Sequence, residues 1–595
     1  ITFIEDNAIP PERLAEFVKT LRSIVEAHGT RAAFYAHASV GVLHVRPLLS
    51  TKDPDDLRKV REIATQAAEL ARSLGGVMSG EHGDGRVRTP FLESFYGPEI
   101  MRAFRAIKHI FDPHNLLNPG NIVEPRPIES ITARLRVDTA PHDAAPSPVR
   151  VPQVRTFYEY ADQHGFDHAV EMCNGAGVCR KRSGGTMCPS YQALQDERHA
   201  TRGRANALRL AITGQLGHDR PAWNDPETLD TLDLCLSCKA CKSECPSNVD
   251  VARLKSEYVA QSYEVGRPPS LAARAIAHVR FLNRLAARTP KLANALSNNP
   301  LARRIINRLL DVSSRRSLPP FGPSLEKWHA SRPRNLAAFT KSPDEPRTKS
   351  VALFADCFCA FGESNVGRAA VELLEAFGYR VLIPKTGCCA RPAISTGQLR
   401  AAIAQADNTI SALDRFAQAN PGCAFLFLEP SCLSAVKDDW QDLRLAAPKA
   451  LRKDIADRAF LIEDFLEKHW DDHPKRPEFK APAAPVLLHA HCHQKALWGA
   501  ESSALILRRV AGQTLQVLDT GCCGMAGAFG FPEHRFDLSL AVGERTLFPK
   551  LRAAPRQAHL AIPGTSCRHQ TLDAVGLHAK HPVELLRDWL APSDS

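Results

Sequence analysis

The chain has 595 residues, too many for one hydrophobic core, and a prior of one domain per ~150 residues sets an expectation of three or four. Hydrophobic residues make up 44% and charged residues 24%, ordinary for a globular protein, and the longest apolar stretches, such as Val351 to Phe354, fall far short of the ~20 residues a bilayer helix needs. The net charge of +11 is concentrated: residues 271 to 350 hold sixteen Lys or Arg against four Asp or Glu, which accounts for the whole imbalance.

The chain opens on Ile1 rather than Met, with a strand-like ITFI followed by Glu5-Asp6 and a helix from Pro11, and it reads as a piece of something longer. Residues 1–125 alternate amphipathic helices (11–28, 53–74, 98–110) with short strands (32–37, 42–46), an α+β pattern. Within it, YAHASVGVLHVRP places His37 and His44 on two strands joined by a tight turn, and GGVMSGEHGDGR brings Glu81 and His82 up on a Gly-flanked turn. A single His is more often structural, but two imidazoles and one carboxylate make a divalent-ion site with open positions. Residues 126–155 form a linker, since five Pro between Pro125 and Pro148 argue against packed structure.

Residues 156–270 hold two cysteine sets among helices, notably 201–216 and 251–265. Cys235-x2-Cys238-x2-Cys241-x3-Cys245-Pro246 matches the bacterial ferredoxin ligand pattern for a [4Fe-4S] cluster. A structural zinc site would instead want two separated Cys-x2-Cys knuckles. Since the fourth Cys of each motif ordinarily serves the other cluster, Cys235, Cys238 and Cys241 join Cys188 in one site. The second site collects Cys173, Cys179 and Cys245, with Ala176 where another ligand would stand. That leaves three possibilities open: a three-iron cluster, a non-cysteine ligand, or a four-iron cluster completed from elsewhere.

Residues 271–348 read as a basic helical linker, with short helices at 272–288 and 301–310. Its charge suits either a solvated connection or docking to an anionic membrane surface or an acidic electron partner. Nucleic acid is excluded as a partner because no stacking aromatics interleave with the charges. The final block is an internal duplication, residues 349–480 and 481–595: Cys357, Cys388-Cys389 and Cys432 recur as Cys492, Cys522-Cys523 and Cys567. VALFADC pairs with VLLHAHC, YRVLIPKTGCC with LQVLDTGCC, and FLFLEPSC with LAIPGTSC, so in each pair a β-type run delivers a Cys to a turn. Two α/β halves presenting strand-end thiols to a shared crevice satisfy this pattern. Seventeen Cys spaced as ligands rather than as a disulfide framework indicate a reducing compartment, hence a cytoplasmic protein, peripheral at the inner face of the membrane if the basic segment docks there.

The duplicated block resembles the CCG domain of heterodisulfide-reductase-like and glycerol-3-phosphate-dehydrogenase-like iron–sulfur subunits. Its departure lies at Ala435 and Gln570, where that pattern has a further Cys, so cluster type and number stay open. The first block resembles the C-terminal substrate domain of FAD-linked oxidases of the vanillyl-alcohol-oxidase type, as far as FDPHNLLNPGNIVEP. The resemblance implies that His37, His44 and Glu81 hold Zn or a similar divalent ion, that His82 is the catalytic base, and that Arg46 contacts the substrate carboxylate or flavin. It likewise puts Asn118 and Asn121 on the cofactor side. The order of modules resembles that of large bacterial D-2-hydroxyglutarate dehydrogenases. No Gly-rich flavin-cradling loop precedes His37, so FAD is expected to be bound mainly by a domain outside this sequence.

The expected fold is multidomain, α+β and α/β: an FAD-oxidase C-terminal substrate domain, a helical two-motif ferredoxin-like domain and a duplicated α/β CCG domain. The expected activity is FAD-dependent oxidation of a D-2-hydroxyacid, with D-2-hydroxyglutarate favoured and D-lactate second. Electrons would pass through [4Fe-4S] clusters to a quinone or an electron-transfer protein, in a homo-oligomer. The alternatives are an electron-transfer subunit that docks a separate flavoprotein, and a CCG block with quinone- or disulfide-reducing chemistry of its own.

Overall fold

Antiparallel pairing brings the chemistry-bearing residues of the first block onto neighbouring strands. In a computed structural model, which describes residues 2–51, 53–133, 135, 154–216, 222–332 and 349–592, β1 (Ile4–Ala8), β2 (Ala32–His37) and β3 (Val42–Pro47) form a sheet of order β1-β3-β2. The chain divides into two units, one spanning 1–152 and 213–221, the other 153–212 and 222–595. Most of the expected Pro-rich linker and the last part of the basic segment lie outside the described residues.

In the first unit the sheet is covered by the helices Leu14–Ala27 and Pro54–Ser73, which bury Phe17, Leu21 and Val25 and a row of Val60, Ile63, Ala64, Ala67 and Ala71 at helical spacing. Asp53 caps the second helix by accepting from the Asp55 N–H. The helix expected at 98–110 begins earlier, at Leu92, and bends at Gly97, whose φ of +84° precedes Pro98. The opening strand also differs from expectation, because it continues through Glu5-Asp6 to Ala8. A register shift between Glu5 and Asn7, with Asp6 at φ +71°, makes a bulge that turns the Asp6 side chain out of the ladder.

The second unit contains both cysteine regions. Its ferredoxin-like part is helical, including Thr201–Ile212, which stops short of the expected Leu216, and Val251–Glu264. In the duplicated part, β4 (Ser350–Leu353), β5 (Arg380–Leu382), β6 (Ala424–Phe427) and β7 (Ala459–Leu461) form a parallel sheet of order β5-β4-β6-β7. β8 (Val486–Leu488), β9 (Leu515–Val517) and β10 (His559–Ala561) form a second, of order β10-β8-β9. The halves share one core, in which Leu353, Leu373 and Leu426 of the first join Leu488, Leu507 and Leu586 of the second. Every one of the duplicated thiols follows the carboxyl end of a strand, where parallel sheets leave a crevice.

The basic segment is more than a linker. Its described residues form five helices, Leu271–Ala277, Val279–Ala286, Pro290–Asn298, Pro300–Leu310 and Leu325–Ser331, so the expected 272–288 helix is broken at His278 and a further helix intervenes before 301–310. Several of its Arg residues turn inward. Arg280 donates to the Ala355 carbonyl at 2.8 Å and the Thr386 carbonyl at 3.1 Å, in the first half. Arg316, 1% exposed, donates in the second half to Gln570 Oε1 at 2.5 Å, Gly530 O and Ser539 Oγ at 3.3 Å and Asp573 at 3.4 Å. Charge counting along the sequence cannot distinguish such buried cations from solvated ones.

Replacing Arg316 by Ala removes the donor from three buried acceptors and the half-buried Asp573, and the expected cost is about 3 kcal/mol. Chemical denaturation monitored in the near-UV checks this; a midpoint unchanged from the parent contradicts it.

Candidate functional site

Three groups of side chains have the geometry of sites, one in the first unit and two kinds in the second. In the first unit, His37 and His44 sit on adjacent strands, β2 and β3, with His37 paired to Val42 and His44 to Tyr35. Glu81 comes from the turn 79–82, and its Oε1 lies 3.3 Å from His44 Nε2, 3.9 Å from His37 Nε2 and 3.4 Å from His82 Nε2. His44 is buried, whereas His37 and His82 are more than half exposed. The donor set His37, His44 and Glu81 has its ligand atoms within 4.8 Å of one another, and one side faces solvent. It therefore fits a divalent ion with open positions.

The turn is held by Asp6, which the sequence reading missed. Its carboxylate accepts from Ser79 Oγ at 2.5 Å, the Glu81 N–H at 2.9 Å and the His82 N–H at 2.8 Å. Burial pushes the Asp6 carboxyl up, but these donors outweigh it and hold the group below the usual carboxylate range. Arg46 does not extend freely toward a ligand. It bonds Glu5 at 2.5 Å and the Tyr35 hydroxyl at 2.6 Å, and Tyr35 stacks on His44 with ring centroids 4.7 Å apart. Asn118, at φ +52°, and Asn121 are bonded to each other at 2.7 Å in an exposed loop.

In the ferredoxin-like part, Cys188, Cys235, Cys238 and Cys241 line a single cavity together with Arg204 and Thr201. Cys188 Sγ accepts from the Thr201 N–H at 3.1 Å and lies 3.1 Å from its hydroxyl. Burial raises the Cys235 thiol, but the charges of Arg204 and Lys255 outweigh it and bring the group below its ordinary value. Four convergent thiols with N–H and cationic support fit an iron–sulfur cluster. The second set is sparser. Cys179 is pushed up by burial and by neighbouring Cys173 and Cys245, and the Ala176 N–H is tied to Asn174 Oδ1 at 3.0 Å.

In the first half of the duplication, Cys357 lies 3.8 Å from Cys388 and Cys389 lies 3.2 Å from Cys432. The Arg280 charge bears on Cys357, Cys388 and a further buried thiol, Cys359, that the sequence reading passed over. In the second half Cys522 interacts with Cys492 and Cys523, and Cys523 with Cys567. Glu429 joins the halves: it caps the helix Pro430–Ser434 through the Ser431 N–H and accepts from the Thr565 N–H at 2.9 Å, so its charge reaches both Cys432 and Cys567. The ferredoxin-like part is linked to this block as well. His493 Nε2 donates to the Ser237 carbonyl at 3.0 Å and its Nδ1 is 2.8 Å from Ser434 Oγ, while the Cys238 thiol is raised by burial and by Cys492.

Comparison with known proteins agrees with this division. Family profiles match residues 1–122 as "FAD linked oxidases, C-terminal domain", 169–249 as "4Fe-4S dicluster domain" and 351–427 as "Cysteine-rich domain". The chain carries these three domains in series. It is similar to the D-2-hydroxyglutarate dehydrogenase of Escherichia coli (strain K12), 27% identical over 98% of this chain and 58% of that protein. It is also similar to one subunit of the anaerobic glycerol-3-phosphate dehydrogenase of the same organism, at 26% over 58% of this chain and 83% of that subunit. Its first block is similar to the D-lactate dehydrogenase of Archaeoglobus fulgidus, 38% identical over 20% of this chain and 26% of that one. The chain thus spans about three-fifths of the length of the D-2-hydroxyglutarate dehydrogenases it matches.

Because three donors on Asp6 set the position of Glu81, Asp6→Ala is expected to weaken Zn²⁺ binding by the first unit roughly 10–100-fold. Competition titration against a chromogenic chelator measures it, and unaltered affinity would show that the turn holds its shape without the carboxylate.

Proposed function

We propose that the chain is the substrate and electron-relay portion of an FAD-dependent D-2-hydroxyacid dehydrogenase. D-2-hydroxyglutarate is the favoured substrate and D-lactate the second. The observation that carries this reading is the convergence of His37, His44 and Glu81 beside His82, in a chain that also holds clustered free thiols. His37, His44 and Glu81 hold a divalent ion, leaving positions for the hydroxyl and carboxylate of a 2-hydroxyacid. When bound, the ion lowers the hydroxyl pKa, the flavin accepts hydride and the iron–sulfur groups carry electrons singly.

His82 takes the hydroxyl proton on Nε2, and the Asp6–His82 N–H bond keeps its backbone in place. Arg46 is a positioning residue in this reading, because its contacts with Glu5 and Tyr35 brace the His44 ring. Asn118 and Asn121 lie next to Phe111, Leu116 and Leu117, which are 80%, 77% and 67% exposed. That apolar edge suits contact with a flavin-binding domain. A second reading, an electron-transfer subunit serving a separate flavoprotein, is favoured by the match to 83% of the anaerobic glycerol-3-phosphate dehydrogenase subunit. Metal content of the first unit separates the two, since a docking module needs no such ion.

The electron acceptor is best sought at a membrane surface. From 271 to 310 there is no Asp or Glu. Phe281 and Leu285, Leu292 and Leu296, and Leu301, Ile305 and Leu309 are all more than half exposed on three successive helices, with exposed Arg284, Arg288, Lys291, Arg304 and Arg308 beside them. Apolar side chains flanked by cations, without anions, suit the headgroup layer of an anionic bilayer. No described helix is long and apolar enough to cross one.

In a full-length protein containing this chain, His82→Ala is expected to lower kcat for the preferred hydroxyacid by 10²–10⁴-fold with the metal content retained. Stopped-flow flavin reduction reads the loss, and undiminished turnover removes His82 from the chemistry. The triple change Leu301→Ser, Ile305→Ser and Leu309→Ser is expected to abolish flotation with phosphatidylglycerol vesicles. Flotation equal to the parent's, or binding that neutral vesicles support equally, sinks the membrane reading.

A further inference from the structure

The two cysteine-rich halves are not equivalent. With the offset that superposes Cys357 on Cys492, Phe354 corresponds to His489 and Cys359 to Gln494. Phe354 is core, stacked on Phe427 with centroids 4.6 Å apart. An imidazole in the matching place, 1% exposed, demands a polar reason for its burial.

One of its nitrogens has such a reason. His489 Nδ1 lies 2.6 Å from Thr520 Oγ1, and the Thr520 hydroxyl has the Leu518 carbonyl as its own acceptor at 3.4 Å. The ring therefore donates Nδ1–H to Thr520, which leaves Nε2 as a bare lone pair. Nε2 is buried and has no hydrogen-bond partner among the described residues. Burial and the nearby Lys495 charge keep the ring neutral, with its pKa down to about 3. Its electrostatic neighbour is Cys523, in the thiol set Cys492, Cys522, Cys523 and Cys567. The shell behind it is rigid: the His489 N–H donates to the Ala561 carbonyl at 3.0 Å, and Lys495 Nζ donates to the carbonyls of Thr520 at 2.5 Å and Gly521 at 3.0 Å.

Two further residues stand by these thiols: His491, whose Nε2 lies 4.0 Å from Glu429 Oε1 and whose Nδ1 caps the His493 N–H, and Gln570, three positions after Cys567. Gln570 is already committed. Its Oε1 accepts from Arg316 at 2.5 Å, and its Nε2 donates to Ser539 O at 3.2 Å and Ser539 Oγ at 3.1 Å.

We infer that His489 Nε2 is a nitrogen ligand to the iron–sulfur centre held by Cys492, Cys522, Cys523 and Cys567, whereas the first half, with Phe354 at the matching position, binds through sulfur alone. This rests on the reading of the duplicated thiols as iron–sulfur ligands. A neutral imidazole in place of a thiolate raises the reduction potential of such a centre. The two halves then hold their centres with unequal donor sets, and a thiolate put in place of the His489 imidazole would lower the potential of the second.

The test uses the anaerobically reconstituted full chain with the ion site of the first unit filled by Zn²⁺, which is diamagnetic. Iron is counted by ⁵⁷Fe Mössbauer spectroscopy and ligand nitrogen is read by pulsed paramagnetic resonance of the reduced protein labelled with ¹⁵N-histidine. The expected result is a strongly coupled imidazole nitrogen that His489→Ala removes while the Mössbauer iron count stays the same. His489→Cys is expected to keep the iron and lower the potential. Thr520→Val, which leaves His489 and the four thiols in place, is expected to shift the nitrogen coupling and provides a reading should His489→Ala fail to fold. Iron present without a histidine coupling, a coupling that survives His489→Ala, or one so small that it reports only a hydrogen bond to sulfur overturns the assignment. Iron restricted to the ferredoxin-like part would overturn the underlying reading as well, and the iron count distinguishes the two failures.

Discussion

The constraint on which the rest of the second unit depends is a buried knot of charge at its centre. Lys239, which lies between two thiols of the ferredoxin motif and is 2% exposed, is bonded to both Asp438 and Asp439 of the first cysteine-rich half. Arg391, two residues after Cys389, reaches the same Asp439 at 2.8 Å. Lys242 also bonds Asp438, so three cations share two buried carboxylates, and removing Asp439, which takes from Arg391 its ion-pair partner, is the costly change, at about 3–5 kcal/mol. The loop that presents Cys238 and Cys241 is thereby locked to the loop that presents Cys388 and Cys389. Single-electron transfer depends steeply on separation, and a rigid polar junction holds separation better than an apolar contact that can slide.

The basic segment serves that same rigidity on one face and a different purpose on the other. Arg280 and Arg316 point inward, one onto the carbonyls beside Cys357 and Cys388, the other onto Gln570 and Ser539 behind Cys567. Each half of the duplication therefore has its own arginine clamp, contributed by a stretch that precedes both halves in sequence. The cations that remain outside, such as Arg304 and Arg308, alternate with exposed Leu and Ile. A charge surplus that looks uniform along this segment is thus divided by three-dimensional packing into structural and surface roles.

The legible parts of this protein were those in which chemistry and chain spacing coincide. Cys235, Cys238 and Cys241 must sit close in sequence because one short loop wraps their site, and the strand-then-Cys rhythm of the duplication is written twice. The antiparallel pair carrying His37 and His44 was legible for the same reason. Asp6, by contrast, holds a turn more than seventy residues away through a bulge that interrupts a strand reading. Arg280 looks like one cation among sixteen until β4 places Ala355 beside it. Glu429 caps a helix in one half and binds the backbone of the other, a partner far from it in sequence. What remained hidden consists of single polar side chains whose partners are supplied by the fold.

Duplication explains why the two halves have diverged at such positions. Once two copies share a core, each strand end is needed to deliver thiols, but the residue just inside it is free to differ if its neighbours change with it. In the first half Phe354 packs on Phe427; in the second, Ile562 stands at the position equivalent to Phe427 and a hydroxyl, Thr520, orients the His489 ring. Thr386 stands at the position equivalent to Thr520, yet its hydroxyl has no partner among the described residues. The threonine is thus common to both halves while the imidazole is not, so the hydroxyl has a structural task in one copy only. A pair of centres built from one template in this way has unequal donors, and unequal donors are what give a relay a direction.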